Sequence, residues 1–149
     1  MEHRNICKIG RQSAGMTQER WAEALGCSVE AVRGYERGDY LPSDDMALNM
    51  ADAAGMPVLS HWHLYNKSAL ARELLPEVQV VSLPMATLRL LTAIRRFVES
   101  QQGEQLMEIA EDGKVSPLES MAFDQIQKSL QGIVTAAAML KYAKAEDNT

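Results

Sequence analysis

Gly26 constrains the fold of this chain more than any other residue. It stands between QERWAEAL and VEAVRGYER, two stretches with apolar residues at helical spacing, preceded by the N-cap residues Thr17 and Ser28. A glycine at that point supplies the left-handed backbone of a sharp turn. Counting Gln18 as position one, small Ala22 falls at five, Gly26 at nine and β-branched Val32 at fifteen. Ala22 lets the two helices cross closely, and Val32 packs back from the second onto the first. Trp21, Leu25 and Tyr35 fill the apolar positions between, and Gly38 ends the second helix. The spacing predicts a helix-turn-helix, with an ordinary αα-hairpin lacking a DNA role as the alternative.

Similar signals set the neighbouring elements. RNICKIGRQSA, residues 4 to 14, reads as a first helix with Ile6, Cys7 and Ile9 turned inward, stopped by Gly15. Pro42 biases Leu41 toward extended backbone, Ser43 caps a fourth helix, and Gly55 closes it. That helix carries Asp44 and Asp45 in its first turn, and its inward residues are expected to be Met46, Leu48 or Asn49, Met50 and Ala53. Ser60 is placed to cap a fifth helix through HWHLYNKSALARELL.

GMTQERWAEALGCSVEAVRGYERGDYLPSDDMALNMADAAG resembles the DNA-binding domain of lambda-repressor-like transcriptional regulators, also called the xenobiotic-response-element type. The resemblance covers residues 4 to 65. It rests on Thr-Gln opening the second helix, Tyr-Glu-Arg-Gly closing the third and Leu-Pro-Ser leading into the fourth. It implies a five-helix domain whose third helix, residues 29 to 37, enters the major groove of double-stranded DNA. Carried over by position, it implies Gln18 as a phosphate anchor and Ser28, Val29, Glu30, Arg33, Gly34 and Arg37 as the DNA-facing set. It also implies a structural ion pair between Arg11 and Glu36. Chemistry suggests individual roles: Arg33 can donate twice to guanine, Glu30 can accept from cytosine N4, and Val29 can touch a thymine methyl.

Charge complicates that expectation. Residues 1 to 56 hold six basic and nine acidic side chains, a net charge of −3 within a chain of −5, whereas nucleic-acid-binding domains are usually basic. Random DNA should therefore bind weakly, leaving affinity to a few placed arginines and to dimerisation. Gly34 adds a second oddity, because glycine inside a helix costs about 1 kcal/mol relative to alanine. Close approach to the backbone there would account for it, with sequence drift as the alternative.

The second half reads differently. LPEVQVVSLP, residues 75 to 84, is extended linker or short strand. PMATLRLLTAIRRFVESQQ follows as a long helix with Leu88, Leu91, Ile94, Phe97 and Val98 as its core stripe, then GEQLMEIAED as a shorter helical segment. Ser116-Pro117-Leu118-Glu119 is a capping box that opens a last helix to about Tyr142. Its apolar face includes Ile126, Leu130, Ile133, Ala137 and Leu140, more than one antiparallel hairpin can bury. Two partners fit this face: the same helix of a second subunit, or the chain's own DNA-binding domain.

Residues 108 to 119 overlay a twelve-residue calcium loop, but Ala110 occupies a ligand position and the capping box already explains Ser116 and Glu119. Cys7 and Cys27 read as small apolar residues, and His61 and His63, two apart, as solvated surface side chains that cannot chelate together. Neither metal nor cofactor is expected. No catalytic constellation is visible, so the chain does not read as an enzyme. Without a membrane-length apolar run or a signal-peptide core, it reads as cytoplasmic. The resulting expectation is an all-α protein: a five-helix DNA-binding domain over 1–66, a connecting segment over 67–83, and a helical hairpin over 84–149 that forms a homodimer. The function expected is sequence-specific transcriptional regulation, with a protein adapter built on a degenerate helix-turn-helix as the alternative.

Overall fold

The computed structural model describes residues 5–145, and the chain divides into two compact units, Met1–Glu77 and Val78–Thr149. The division falls inside the predicted connecting segment. Residues 1 to 4, including the predicted start of the first helix at Arg4, lie outside the described residues.

The first unit contains α1 (Ile6–Ser13), α2 (Gln18–Leu25), α3 (Val29–Arg37), α4 (Asp44–Ala54), α5 (Val58–Lys67) and α6 (Ala69–Leu74). Its core is closed by Trp21, Val32, Met50 and Leu59, all without solvent exposure, with Cys7 and Ala47 beside them. Helix α1 packs on α3, α4 and α5, while α2 packs on α3 and α4. A side chain at Gly10 would come within 2.9 Å of Leu59 Cδ1 and 3.1 Å of Trp21 Cζ2, so α1 approaches this core through its bare backbone. Burial pushes the Cys7 thiol up to about 11, which leaves it protonated and unreactive, as expected of a small core residue.

The expected caps form. Thr17, Ser28 and Ser43 accept from the N–H groups of Arg20, Ala31 and Met46 at 3.3, 3.1 and 3.1 Å. Gly26 takes φ +66° at the turn. Asn5 caps α1 and also donates to the terminal carbonyls of α3 at Tyr35 (2.8 Å) and Glu36 (3.0 Å), tying the end of the third helix to the start of the first.

Three sequence expectations are corrected in this unit. The inward face of α4 is Ala47, Met50 and Ala51, while Leu48 is exposed. The fifth helix begins at Val58, ahead of Ser60, and breaks at Ser68, whose extended backbone and hydroxyl cap a separate α6. Arg72 stabilises the break by donating to the Tyr65 and Asn66 carbonyls at the end of α5. His63 is buried, with Nε2 2.8 Å from the Asp44 carboxylate, and His61 is half-buried, with Nε2 2.8 Å from the Pro76 carbonyl. Both histidines therefore tie α5 to other parts of its own unit.

The second unit consists of α7 (Leu83–Glu99), α8 (Gln102–Ala110) and α9 (Ser120–Lys141). Helices α7 and α9 run antiparallel, and the pairing of Ser82 with Lys144 joins the start of one to the end of the other. Helix α7 ends at Glu99, short of the predicted Gln102, because Gln101 takes a left-handed backbone at φ +55° before α8 starts. The Ser116–Glu119 capping box forms reciprocally, with bonds of 2.8 and 3.3 Å, and leads through one turn into α9 at Ser120. These bonds engage the Ser116 hydroxyl and one Glu119 oxygen, two of the groups that the calcium-loop pattern would have used.

The expected core stripe of α7 is corrected at Leu88, Leu91, Ile94 and Val98, while Phe97 keeps its inward place. Ala86 is the buried residue, and Leu90, Ala93 and Phe97 continue its line at helical spacing. Leu88, Leu91 and Val98 fall away from that line and stay 62%, 55% and 65% exposed. On α9, Ile126 is 1% exposed and spent on its own unit, together with Ala136 and Met139. Ile133 and Leu140 are half-buried, whereas Leu130, Val134 and Ala137 remain exposed.

Candidate nucleic-acid interface

The α2 N-terminus and the outer side of α3 form one surface because Gly26 turns the chain sharply and Ala22 and Val32 close the contact beneath it. Ser28, Glu30, Arg33 and Arg37 are exposed on that surface, and Val29 and Gln18 are half-buried. The Ser28 oxygen is already engaged in capping α3.

Beneath the surface, Arg11 and Glu36 form the expected ion pair. The Arg11 Nε and Nη2 groups donate to the two Glu36 oxygens, and Nη1 donates to the Met16 carbonyl at 3.0 Å. Burial pushes the Glu36 carboxyl up, but hydrogen bonds from Arg11 and Gln18 outweigh it and hold the group below its ordinary range. Gln18 donates to Glu36 Oε2 at 2.9 Å. That bond turns the Gln18 amide oxygen outward, where it accepts from Arg33 Nε at 3.4 Å. A continuous polar chain thus runs from Arg11 through Glu36 and Gln18 to Arg33. Any phosphate contact by Gln18 falls to its second amide hydrogen.

Neither outer arginine is free of carboxylates. Arg33 lies 3.8 Å from Glu19 and 3.7 Å from Glu30. Arg37 lies 3.1 Å from Glu30 and 2.8 Å from Asp39, and the bonds to Asp39 and Glu30 push its guanidinium pKa up. Such exposed pairs are weak and screened by solvent, so they can be exchanged for phosphate, although the carboxylates remain to repel it. Sequence reasoning placed Glu30 here as a base reader and missed Glu19 and Asp39 as arginine partners. Their signal was position, at the first turn of α2 and just beyond Gly38.

Gly34 is buried under Tyr40, so it does not face a groove as the resemblance implied. Tyr40 packs edge-on against Tyr35 and lies where a residue-34 side chain would be. The close approach expected from Gly34 therefore occurs, and Tyr40 makes it.

Residues 8–59 match a family model described as Helix-turn-helix. The N-terminal unit carries a Cro/C1-type helix-turn-helix domain. This domain supports a DNA-binding helix-turn-helix regulator and agrees with the resemblance read from the sequence. The match ends within α5 and leaves the second unit outside it. No curated protein and no solved structure matches the chain. Among the described residues, no helix is long and apolar enough to cross a membrane.

Proposed function

We propose that the helix-turn-helix protein is a sequence-specific transcriptional regulator that acts in the cytoplasm as a homodimer, placing α3 in the major groove and catalysing no reaction. The observation that carries this reading is the arrangement of Gln18, Arg33 and Arg37 on one outer surface, with Arg33 held by a polar chain anchored in the domain. Arg33 reads a guanine, Glu30 and Val29 flank it, and Ser28, Arg37 and the free hydrogen of Gln18 meet the backbone. Because the surrounding surface is acidic, one domain alone binds weakly, and two copies joined through their second units supply the remainder. The exposed apolar residues of α7 and α9 support that role. The interface is therefore centred on Leu88, Leu91 and Val98 with Leu130, Val134 and Ala137, and Ile126 serves its own unit.

Selection from random double-stranded DNA at fixed salt tests the proposal. A palindrome with half-sites about one helical turn apart is the expected product, and enrichment of no sequence would overturn it. Arg33→Ala should remove preference at one base pair per half-site, a loss of about 1–3 kcal/mol of discrimination. The carboxylates at Glu19, Glu30 and Asp39 favour one rival, a protein adapter that has given up DNA. That rival predicts partner binding untouched by Arg33→Ala.

A further inference from the structure

The glycine inside the recognition helix has an occupant. A Cβ at Gly34 would stand 2.5 Å from the Tyr40 hydroxyl oxygen and 2.6 Å from its Cε1 and Cζ atoms, so the phenol fits against α3 only because residue 34 lacks a side chain. Tyr35 steadies the ring from another side, with centroids 5.1 Å apart and planes at 72°. Despite both contacts Tyr40 stays 49% exposed, and its hydroxyl has no hydrogen-bond partner among the described residues. Gly34 follows Glu30 by four residues and precedes Arg37 by three, so it shares their side of the helix. The seat of the Tyr40 hydroxyl is therefore on the flank of the surface assigned to DNA.

We propose that Tyr40 is a DNA-contacting residue whose hydroxyl donates to a backbone phosphate oxygen bordering the major groove. This rests on the DNA-binding reading above. Phosphate is the fitting acceptor because the hydroxyl stands beside the later part of α3, whereas base edges meet the N-terminal residues of such a helix. A neutral donor also suits this surface. Every guanidinium on α3 is already flanked by carboxylates, and a phenol holds a phosphate without needing its own counter-charge. Gly34 and Tyr40 act as one unit, the first giving room and the second filling it with a donor.

The test uses the full chain and DNA enriched by selection. Tyr40→Phe keeps the ring and removes the donor, so melting should not change while affinity falls about fivefold, equally for selected and random DNA. The salt dependence should keep its slope, because a neutral contact releases no counterion. Gly34→Ala displaces the phenol and should lose as much affinity, and the double variant should lose no more than the weaker single one. Wild-type affinity in Tyr40→Phe overturns the proposal and leaves the DNA reading intact. A loss confined to the selected site assigns the hydroxyl to a base and also overturns it. If the unaltered chain enriches no DNA, the reading fails and the proposal with it.

Discussion

The two units spend their apolar side chains differently. In the first, Trp21, Val32, Met50 and Leu59 are wholly enclosed, and the Arg11–Glu36 and His63–Asp44 contacts fasten helices distant in sequence. In the second, three helices enclose Ala86, Ile109, Ile126, Ala136 and Met139 while Leu88, Leu91, Val98 and Met121 stand in solvent. A unit that closes its own core can present a polar surface to DNA. The second leaves large apolar side chains exposed on both of its long helices, the kind of exposure that suits an association surface.

The largest effect that would sharpen this contrast comes from the enclosed core. Trp21→Ala removes a side chain that fills the α1–α2–α4–α5 centre and should destabilise the first unit by about 3–5 kcal/mol. The measurement is chemical unfolding of the full chain followed by the fluorescence of Trp62, the remaining tryptophan, which also lies in the first unit. A loss below about 1 kcal/mol would break the claim that this core is tightly closed.

The matching substitution on the open surface should behave in the opposite way. Leu91→Glu leaves α7 helical and its own packing line intact, so circular dichroism and melting of the monomer should change little. Light scattering should instead record dissociation of the dimer, and affinity for a palindromic site should fall on the order of 100-fold as avidity is lost. An unaltered chain that scatters as a monomer at micromolar concentration would remove the dimer from the proposal.

Legibility in the sequence follows the same contrast. The first unit could be read because its signals are local: Thr17, Ser28 and Ser43 each satisfy an N–H three residues on, and Gly26, Gly38 and Gly55 each end a helix in left-handed backbone. The Arg11–Glu36 pair was legible only through the family resemblance. What escaped reading depended on distance. The burial of His63 required knowing that α5 returns to the start of α4, and the seat of Tyr40 required knowing how the chain leaves Gly38. In the second unit a run of leucines did not reveal which of them faced α9. Leu88 and Leu91 are as apolar as Leu90, and the line through Ala86, Ala93 and Phe97 is set by close approach at small residues.

Acid should separate the units by a smaller amount. The folded pKa of Glu36 lies below its ordinary 4.5. The stability it contributes is therefore complete above that value and is lost as pH falls through the depressed folded pKa. Asp44 acts in the same direction through hydrogen bonds from Lys67 and His63. Below about pH 4.5, tryptophan fluorescence should report first-unit unfolding at less denaturant, with about 1–3 kcal/mol lost for the hydrogen-bonded Glu36 charge. Glu36→Gln should flatten that acid dependence. A profile as steep as that of the unaltered chain would assign the acid sensitivity elsewhere.

The smallest effect concerns the surface that meets DNA. Asp39 is bonded to Arg37 through two donor atoms and faces any phosphate that Arg37 would contact. Asp39→Asn keeps the side chain's shape and removes its charge, so a weak solvent-screened ion pair is lost while a repulsion between carboxylate and phosphate disappears. Binding to random DNA at low salt should therefore tighten by a few fold, and the gain should shrink as salt screens it. Preference among sequences should not move, because Asp39 lies beyond the helix that reads bases. Unchanged affinity at low salt would mean that Arg37 is held away from DNA altogether, and its assignment to the interface would then fail.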